Sequence, residues 1–226
     1  MANKGQPTYL ERDGLRDSLV EVYIKNPTYL NTRIVKAILD GGGMEDFQTQ
    51  EDSGTKSIFL QNEVFRVQVR TDCISFNNVK EYQRWPSYGD FIKKVMRRVL
   101  ELPDIEVGRQ MIRYISMYPD VSIFDNLNGE KMRLNAFPQI DGTEIRFKMG
   151  IADNQDHLGI ATIRITDNLP SNKPEVKVSV VDIQIDTTTD NDKHEGTLEF
   201  LHTQERNLYF SLLSNKFIES LGAHYE

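Results

Sequence analysis

Four histidines, one cysteine and several clusters of carboxylates are the residues from which this chain could assemble a reactive centre. The polar, turn-forming surroundings of His157 and His194 predict loops there, and His224 follows a turn at Gly222. Only His202 falls in a helical pattern, with Glu205 and Arg206 on neighbouring turns. A nucleophilic triad needs a positioned base beside Ser or Cys, and the sequence has no Gly-x-Ser-x-Gly elbow. Cys73 lies in an alternating strand pattern and reads as a small core residue. With a single cysteine, an intrachain disulfide and a cysteine-based zinc site are both excluded. His202 is a candidate for ligand or partner binding, and the competing expectation is hydrogen bonding on a helix. No catalytic residue and no cofactor is expected.

Metal binding has one candidate. Asp182, Asp186, Asp190, Asp192, His194 and Glu195 form an acidic cluster of the hard-oxygen type that Ca²⁺ or Mg²⁺ prefers. The glycine and closing glutamate of an EF-hand are not in register. A solvated acidic loop that faces a partner is the expected role, with no metal.

Binding chemistry is better represented. Tyr82, Arg84 and Trp85 place aromatic and cationic groups in one turn, and Arg109, Arg113 and Tyr114 recur along a later strand pattern. Residues four apart on a strand share a face, so Arg109 and Arg113 make a same-side pair suited to a carboxylate or phosphate. The competing expectation is that Trp85 staples a helix entry while the arginines pair with internal Asp or Glu. A second basic group, Lys93, Lys94, Arg97 and Arg98, falls on the polar face of an amphipathic helix.

These residues must be positioned by a mixed set of elements. Strand patterns run over 15–25, 57–69 with a turn or bulge near Asn62-Glu63, 71–77, 106–119, 144–151, 158–166 and 174–186. Helical spacing covers 29–40, closed by Gly41-Gly42-Gly43; 88–102, with Ser87 as its cap; and 197–213, with Ser214 as a second cap. Residues 1–14 read as a loose lead-in. The order β-α-β-β-β-α-β, then β-β-β-α, predicts an α+β fold. It fits two antiparallel sheets, or one curved sheet with helices on one side, and two related halves split at 15–130 and 131–226. No Gly-rich strand-to-helix turn supports a doubly wound nucleotide-binding fold.

The 226 residues carry a net charge of -7, and mean hydropathy is -0.50. Residues 1–118 hold 17 Lys+Arg against 16 Asp+Glu, a net of +1; residues 119–226 hold 10 against 18, a net of -8. That balance is opposite to the one that phosphate neutralisation needs. No apolar run approaches a membrane span, and no secretory h-region opens the sequence. A cytoplasmic location is the expectation.

Three stretches carry a family likeness. They are Ile74-Ser75-Phe76 with Tyr82 and Trp85-Pro86-Ser87-Tyr88-Gly89-Asp90-Phe91; the run Gly108 to Ser116; and Leu201-His202 with Phe210 and the helix after Ser214. Over roughly 15–220 the chain resembles a sporadically distributed bacterial family of about this size, whose function is not established. That family tends to show a Tyr-x-x-Trp turn, an Arg-x-x-x-Arg-Tyr-Ile-Asn-like strand and a late Leu-His helix. Ser116 stands where the family favours Asn. The resemblance implies accessory or defence-type genes, such as toxin-neutralising proteins, and no reaction.

The resulting expectation is a non-catalytic binding or interaction protein, immunity- or antitoxin-like, whose acidic half meets a basic surface of another protein. Two alternatives stay open. One is a metal- or nucleotide-dependent defence-type enzyme; the other is a nucleic-acid binder using the basic helix face.

Overall fold

A computed structural model describes residues 5–25, 31–41, 43–129, 144–153, 157–173, 175–188 and 193–225. Eleven strands are found among them: β1 (Tyr9–Leu10), β2 (Leu15–Ile24), β3 (Gln48–Asp52), β4 (Ser57–Gln61), β5 (Phe65–Val69), β6 (Cys73–Asn78), β7 (Val107–Pro119), β8 (Glu144–Ala152), β9 (Leu158–Pro170), β10 (Lys177–Thr188) and β11 (Ala223–His224). The described helices are α1 (Asn31–Asp40), α2 (Arg84–Leu100), α3 (His194–Leu212) and α4 (Asn215–Ser220), with a 3₁₀ turn at Phe124–Asn126. The fold is α+β. Nine strands form one antiparallel sheet in the order β3-β4-β5-β6-β2-β7-β10-β9-β8, and β1 pairs separately with β11.

The order is mirrored about its centre. Outward from β2 come β6, β5, β4 and β3; outward from β7 come β10, β9 and β8. The strand beside each central one leads into a helix, α2 after β6 and α3 after β10.

Period-two alternation decides which face is buried. Val20 and Val22 stand in register with Phe76 and Ile74 on one side and with Ile112 and Gln110 on the other. Ile183 and Ile185 continue these rows to Ile163 and Ala161. These apolar side chains are all buried. Helices α1, α2 and α3 lie side by side over them, α1 on β4 and β5, α3 on β7 and β10. Among the described residues no helix lies on the other face, and no helix is long and apolar enough to cross a membrane.

Four expectations need correction. The aromatic turn at 82–86 is the start of α2, which opens at Arg84 rather than after Ser87. Pro86 sits in the first turn, where no helical partner awaits its missing N–H. The strand expected to end at 166 continues to Pro170 through a bulge in β9: Thr166 faces Val180 while Leu169 faces Val178, and Asn168 adopts a φ of 56°. In β10 the run Val176, Val178 and Val180 followed by Ile183 and Ile185 predicts a second bulge, but alternation there is regular: Val178 and Val180 face outward and Val181 inward. His194, expected in a loop, is the first residue of α3 and is buried. The expected turn near Asn62 is present: its Oδ1 accepts the N–H groups of Val64 and Phe65 at 2.9 and 2.7 Å, a side-chain turn that reverses the chain between β4 and β5.

Candidate functional site

The first turn of α2, the middle of α3 and the helix-side row of β7 converge on one polar and aromatic cluster. The row on β7 is unusual, since Gln110, Tyr114, Ser116 and Tyr118 all point inward and are buried. Trp85 stacks on His202, with ring centroids 4.3 Å apart and planes 10° from parallel. Its indole N–H donates to Glu199 Oε2 at 2.9 Å, and Lys93 Nζ holds the other oxygen of that carboxylate. The Tyr82 and Tyr114 hydroxyls are 2.9 Å apart, and Tyr114 Oη lies 3.4 Å from His202 Nδ1. Further along, the Tyr118 and Tyr209 hydroxyls bond to each other.

Glu205, placed beside His202 by the helical pattern but given no role there, belongs to the same cluster. It lies one turn beyond His202 on α3 and is 5% exposed. Burial and the neighbouring Asp13 push its carboxyl up to about 8, against a smaller opposing effect of Arg206. Burial holds the His202 imidazole down at about 4, so at neutral pH the cluster contains a protonated carboxyl and a neutral imidazole. Such a cluster can hold or relay a proton. It contains no activated nucleophile.

Residues 7–14 cross over this cluster as a strap. Thr8 N–H donates to His224 O at 2.7 Å, Glu11 N–H to Gly222 O at 3.1 Å and Arg12 N–H to Leu221 O at 2.9 Å. Tyr9 is sandwiched between the His224 ring, 4.2 Å away, and the Arg84 guanidinium, 4.3 Å away. Arg84 itself has a φ of 33°, a conformation costly for a side-chain-bearing residue outside sites that over-determine it. Arg206 donates to Pro7 O from below. At the end of the strap Gly14 lies against the Tyr118 ring, where a Cβ would fall 2.5 Å from Cε1.

The other expected residues lie elsewhere. Arg109 and Arg113 do share a face, but it is the opposite one, turned away from Tyr114 and Trp85. Arg113 makes two bonds to Asp182, at 2.9 and 2.7 Å, and Arg109 lies 3.6 Å from Asp186 and over the Tyr23 ring. The internal pairing weighed for these arginines is the arrangement observed, and it uses two members of the acidic cluster. A third, Glu195, is held by Arg97 on the helix side at 2.6 and 3.0 Å. Asp190 and Asp192 lie outside the described residues. Of the basic face, Lys93 and Arg97 therefore tie α2 to α3, Arg98 donates to Gly41 O at 2.8 Å, and Lys94 lies near Gly43.

The remaining titratable groups are structural. His157 bonds Asp153 at 2.8 Å and stacks on Phe200. His194 has both ring nitrogens buried and unpartnered, and burial lowers it to about 4. Cys73 is fully buried, and burial raises its thiol to about 11. Among the described residues no group of His, Cys, Asp and Glu could hold a metal ion. A recess of about 770 Å³ at the β3–β5 end of the sheet is lined by Gln48, Gln50, Phe59, Gln61, Asn62 and Arg66. Much of its polar lining pairs internally, Arg66 with Gln61 at 2.6 Å and Asn62 with Asp46 at 2.8 Å.

No protein-family model matches the chain, and no curated protein matches it. Function must therefore be read from the geometry.

Trp85 is the single tryptophan, so its emission reports on His202. Protonating the stacked imidazole quenches an indole, and the acid quench is expected with a midpoint near pH 4 rather than near the ordinary histidine value of about 6.5. A fluorescence titration checks this. A midpoint above 6, or no change in His202→Gln relative to the parent, contradicts the buried neutral pair.

Proposed function

We propose that this is a non-catalytic interaction protein that docks another protein on the helix-free face of its sheet. The observation that supports the reading is an apolar strip collected by register. Met117 stands beside Val180, Pro119 beside Val178, and Val178 beside Leu169. Met117 and Leu169 are each 36% exposed. Apolar groups rimmed by charge mark interaction sites, and here the rim is made by the Arg113–Asp182 and Arg164–Glu144 pairs.

The partner surface has an apolar centre in net-basic surroundings. The chain's net charge of -7 steers such a partner at long range. An immunity- or antitoxin-like role toward a basic partner fits this field. The basic residues of α2 are engaged in holding helices together, which favours a protein partner over nucleic acid.

A photo-crosslinking residue at position 117 or 169, in the producing cell, is expected to capture one discrete protein that the same residue at exposed Lys36 does not. Met117→Asp should weaken that complex about tenfold or more, and added salt should slow its association. Equal capture from all three positions, or none, overturns the reading.

A further inference from the structure

We propose that the recess at the β3–β5 end of the sheet binds a neutral oligosaccharide, with Phe59 as the platform under one sugar ring and Gln48, Gln50, Gln61 and Arg66 bonding its hydroxyls. Register brings these groups together. Gln48, Gln61 and Arg66 form one cross-strand row, and Gln50, Phe59 and Gln68 form the next. The alternate residues Ile58, Leu60, Val67 and Val69 are buried on the helix side, so both rows lie on the open face. Phe59 is the anomaly there. Its neighbours Ile58 and Leu60 fill the core, whereas its own ring stands half-buried among amides. The volume of about 770 Å³ falls within the range of roughly 300–1,000 Å³ that small-molecule pockets occupy.

The lining selects the class of ligand. Three carboxylates, Asp46, Asp52 and Glu63, stand against two cations, Arg66 and Lys80, a balance that repels phosphate. Those carboxylates are engaged by their own loops, which disfavours a cationic ligand. Asp52 accepts the Gly54 N–H at 2.9 Å and the Thr55 hydroxyl at 2.7 Å, Asp46 accepts the Asn62 amide, and Glu63 faces Lys80 at 3.5 Å. Phe59 and Val79 supply little apolar surface, and a wholly apolar ligand would strand the amides without water. Planar polar groups are what remain. Gln48 and Gln50 are exposed on β3. The Arg66 bond to Gln61 Oε1 runs from Nε at 2.6 Å, so it consumes neither the terminal N–H groups of the guanidinium nor the Gln61 amide N–H groups. Adjacent hydroxyls of a sugar each donate and accept, and one amide or guanidinium meets two of them at once. The C–H face of a sugar ring is apolar and rests on an aromatic face. Edge protection does not account for the amides, since free edges are ordinarily guarded by lysine, proline or a bulge, and Gln48-Thr49-Gln50 uses none of these.

The test is a titration of ¹⁵N-labelled protein with maltotriose, cellotriose, mannotriose and chitotriose, each to about 10 mM, the range in which weak sites fill. AMP and inorganic phosphate are the comparison ligands. At least one trisaccharide is expected to shift the amide signals of Gln50, Phe59 and Gln61 saturably, while those of Val20 and Ile112 stay in place. The double change Gln48→Ala and Gln50→Ala should weaken that response at least tenfold, and so should Phe59→Ala. An unchanged melting temperature in the glutamine variant separates lost binding from lost folding, because both side chains are exposed. Met117→Asp should leave the response intact, since Met117 lies outside this arm of the sheet; the recess therefore stands or falls apart from the docking role. The assignment is overturned if none of the four trisaccharides shifts these signals, or if AMP or phosphate binds there more tightly. It is also overturned if the folded glutamine variant binds as well as the parent.

Discussion

Replacing Glu205 by glutamine is expected to raise the melting temperature, with a gain that grows as pH climbs from about 4.5 to about 8. The folded protein holds a proton on Glu205 that the unfolded chain releases near 4.5. Stability from this group is therefore fully present below 4.5 and is lost as pH rises through the folded value near 8. A shift of this size corresponds to as much as about 4 kcal/mol, or roughly 10 °C for a chain of this length. The acid limb has the opposite sign. His194 and His202 are held neutral near 4, and the lowered carboxyls of Glu195, Glu199 and Asp167 act in the same direction. Their contributions disappear as pH falls. Calorimetry from pH 4 to 9 should show a maximum between 6 and 7, with only the alkaline fall removed in the variant. A variant whose profile parallels the parent, or which melts lower at pH 8, rules this out.

Trp85→Ala should cost about 3–5 kcal/mol, the range for emptying a large buried aromatic site. Trp85 is 9% exposed and joins α2 to α3 by its stack on His202, its bond to Glu199 and an edge contact with Tyr88 at 6.2 Å. Chemical denaturation should show the midpoint falling with little change in slope. Trp85→Phe keeps a ring over His202 but gives up the N–H donor and part of the indole's buried bulk, at a cost of about 2 kcal/mol. A Trp85→Ala protein within about 1 kcal/mol of the parent would show that the helix pair is held elsewhere.

Parts of this site were legible in the sequence. Tyr82, Trp85, Tyr114 and His202 come together because a helix start, a strand and a second helix were each recognisable, and their ring chemistry stands out locally. Glu205 was not, because a glutamate in a helical pattern reads as solvated until the roof above it is seen. That roof depends on β1 pairing with β11 across more than 200 residues of chain, for which two-residue strands leave no periodicity. β3 escaped for a related reason: Gln48 to Asp52 is an edge strand of polar residues, with no apolar alternation to reveal it. The arginine pair was placed correctly on one face, but only register could show that Asp182 and Asp186 of the adjoining strand had already claimed it. Asymmetric charge along the chain did not translate into one acidic surface, because its members are divided between the two faces of the sheet.

The mirrored strand order also bears on how the chain reaches this structure. Within each arm neighbouring strands follow one another in sequence, β3 to β6 and β8 to β10, so their pairing closes short loops. The seam joining β2 to β7, and the pairing of β7 with β10, instead bring together residues roughly 60–100 positions apart. Loop-closure entropy makes such contacts late and slow. The arms are therefore expected to gain structure as local meanders, and the rate-limiting step is their zipping along β7. Conservative truncations at Ile112 on the seam should slow folding, while truncations at Leu60 in an arm should mainly speed unfolding. Equal effects of both on the folding rate would argue for a single diffuse nucleus.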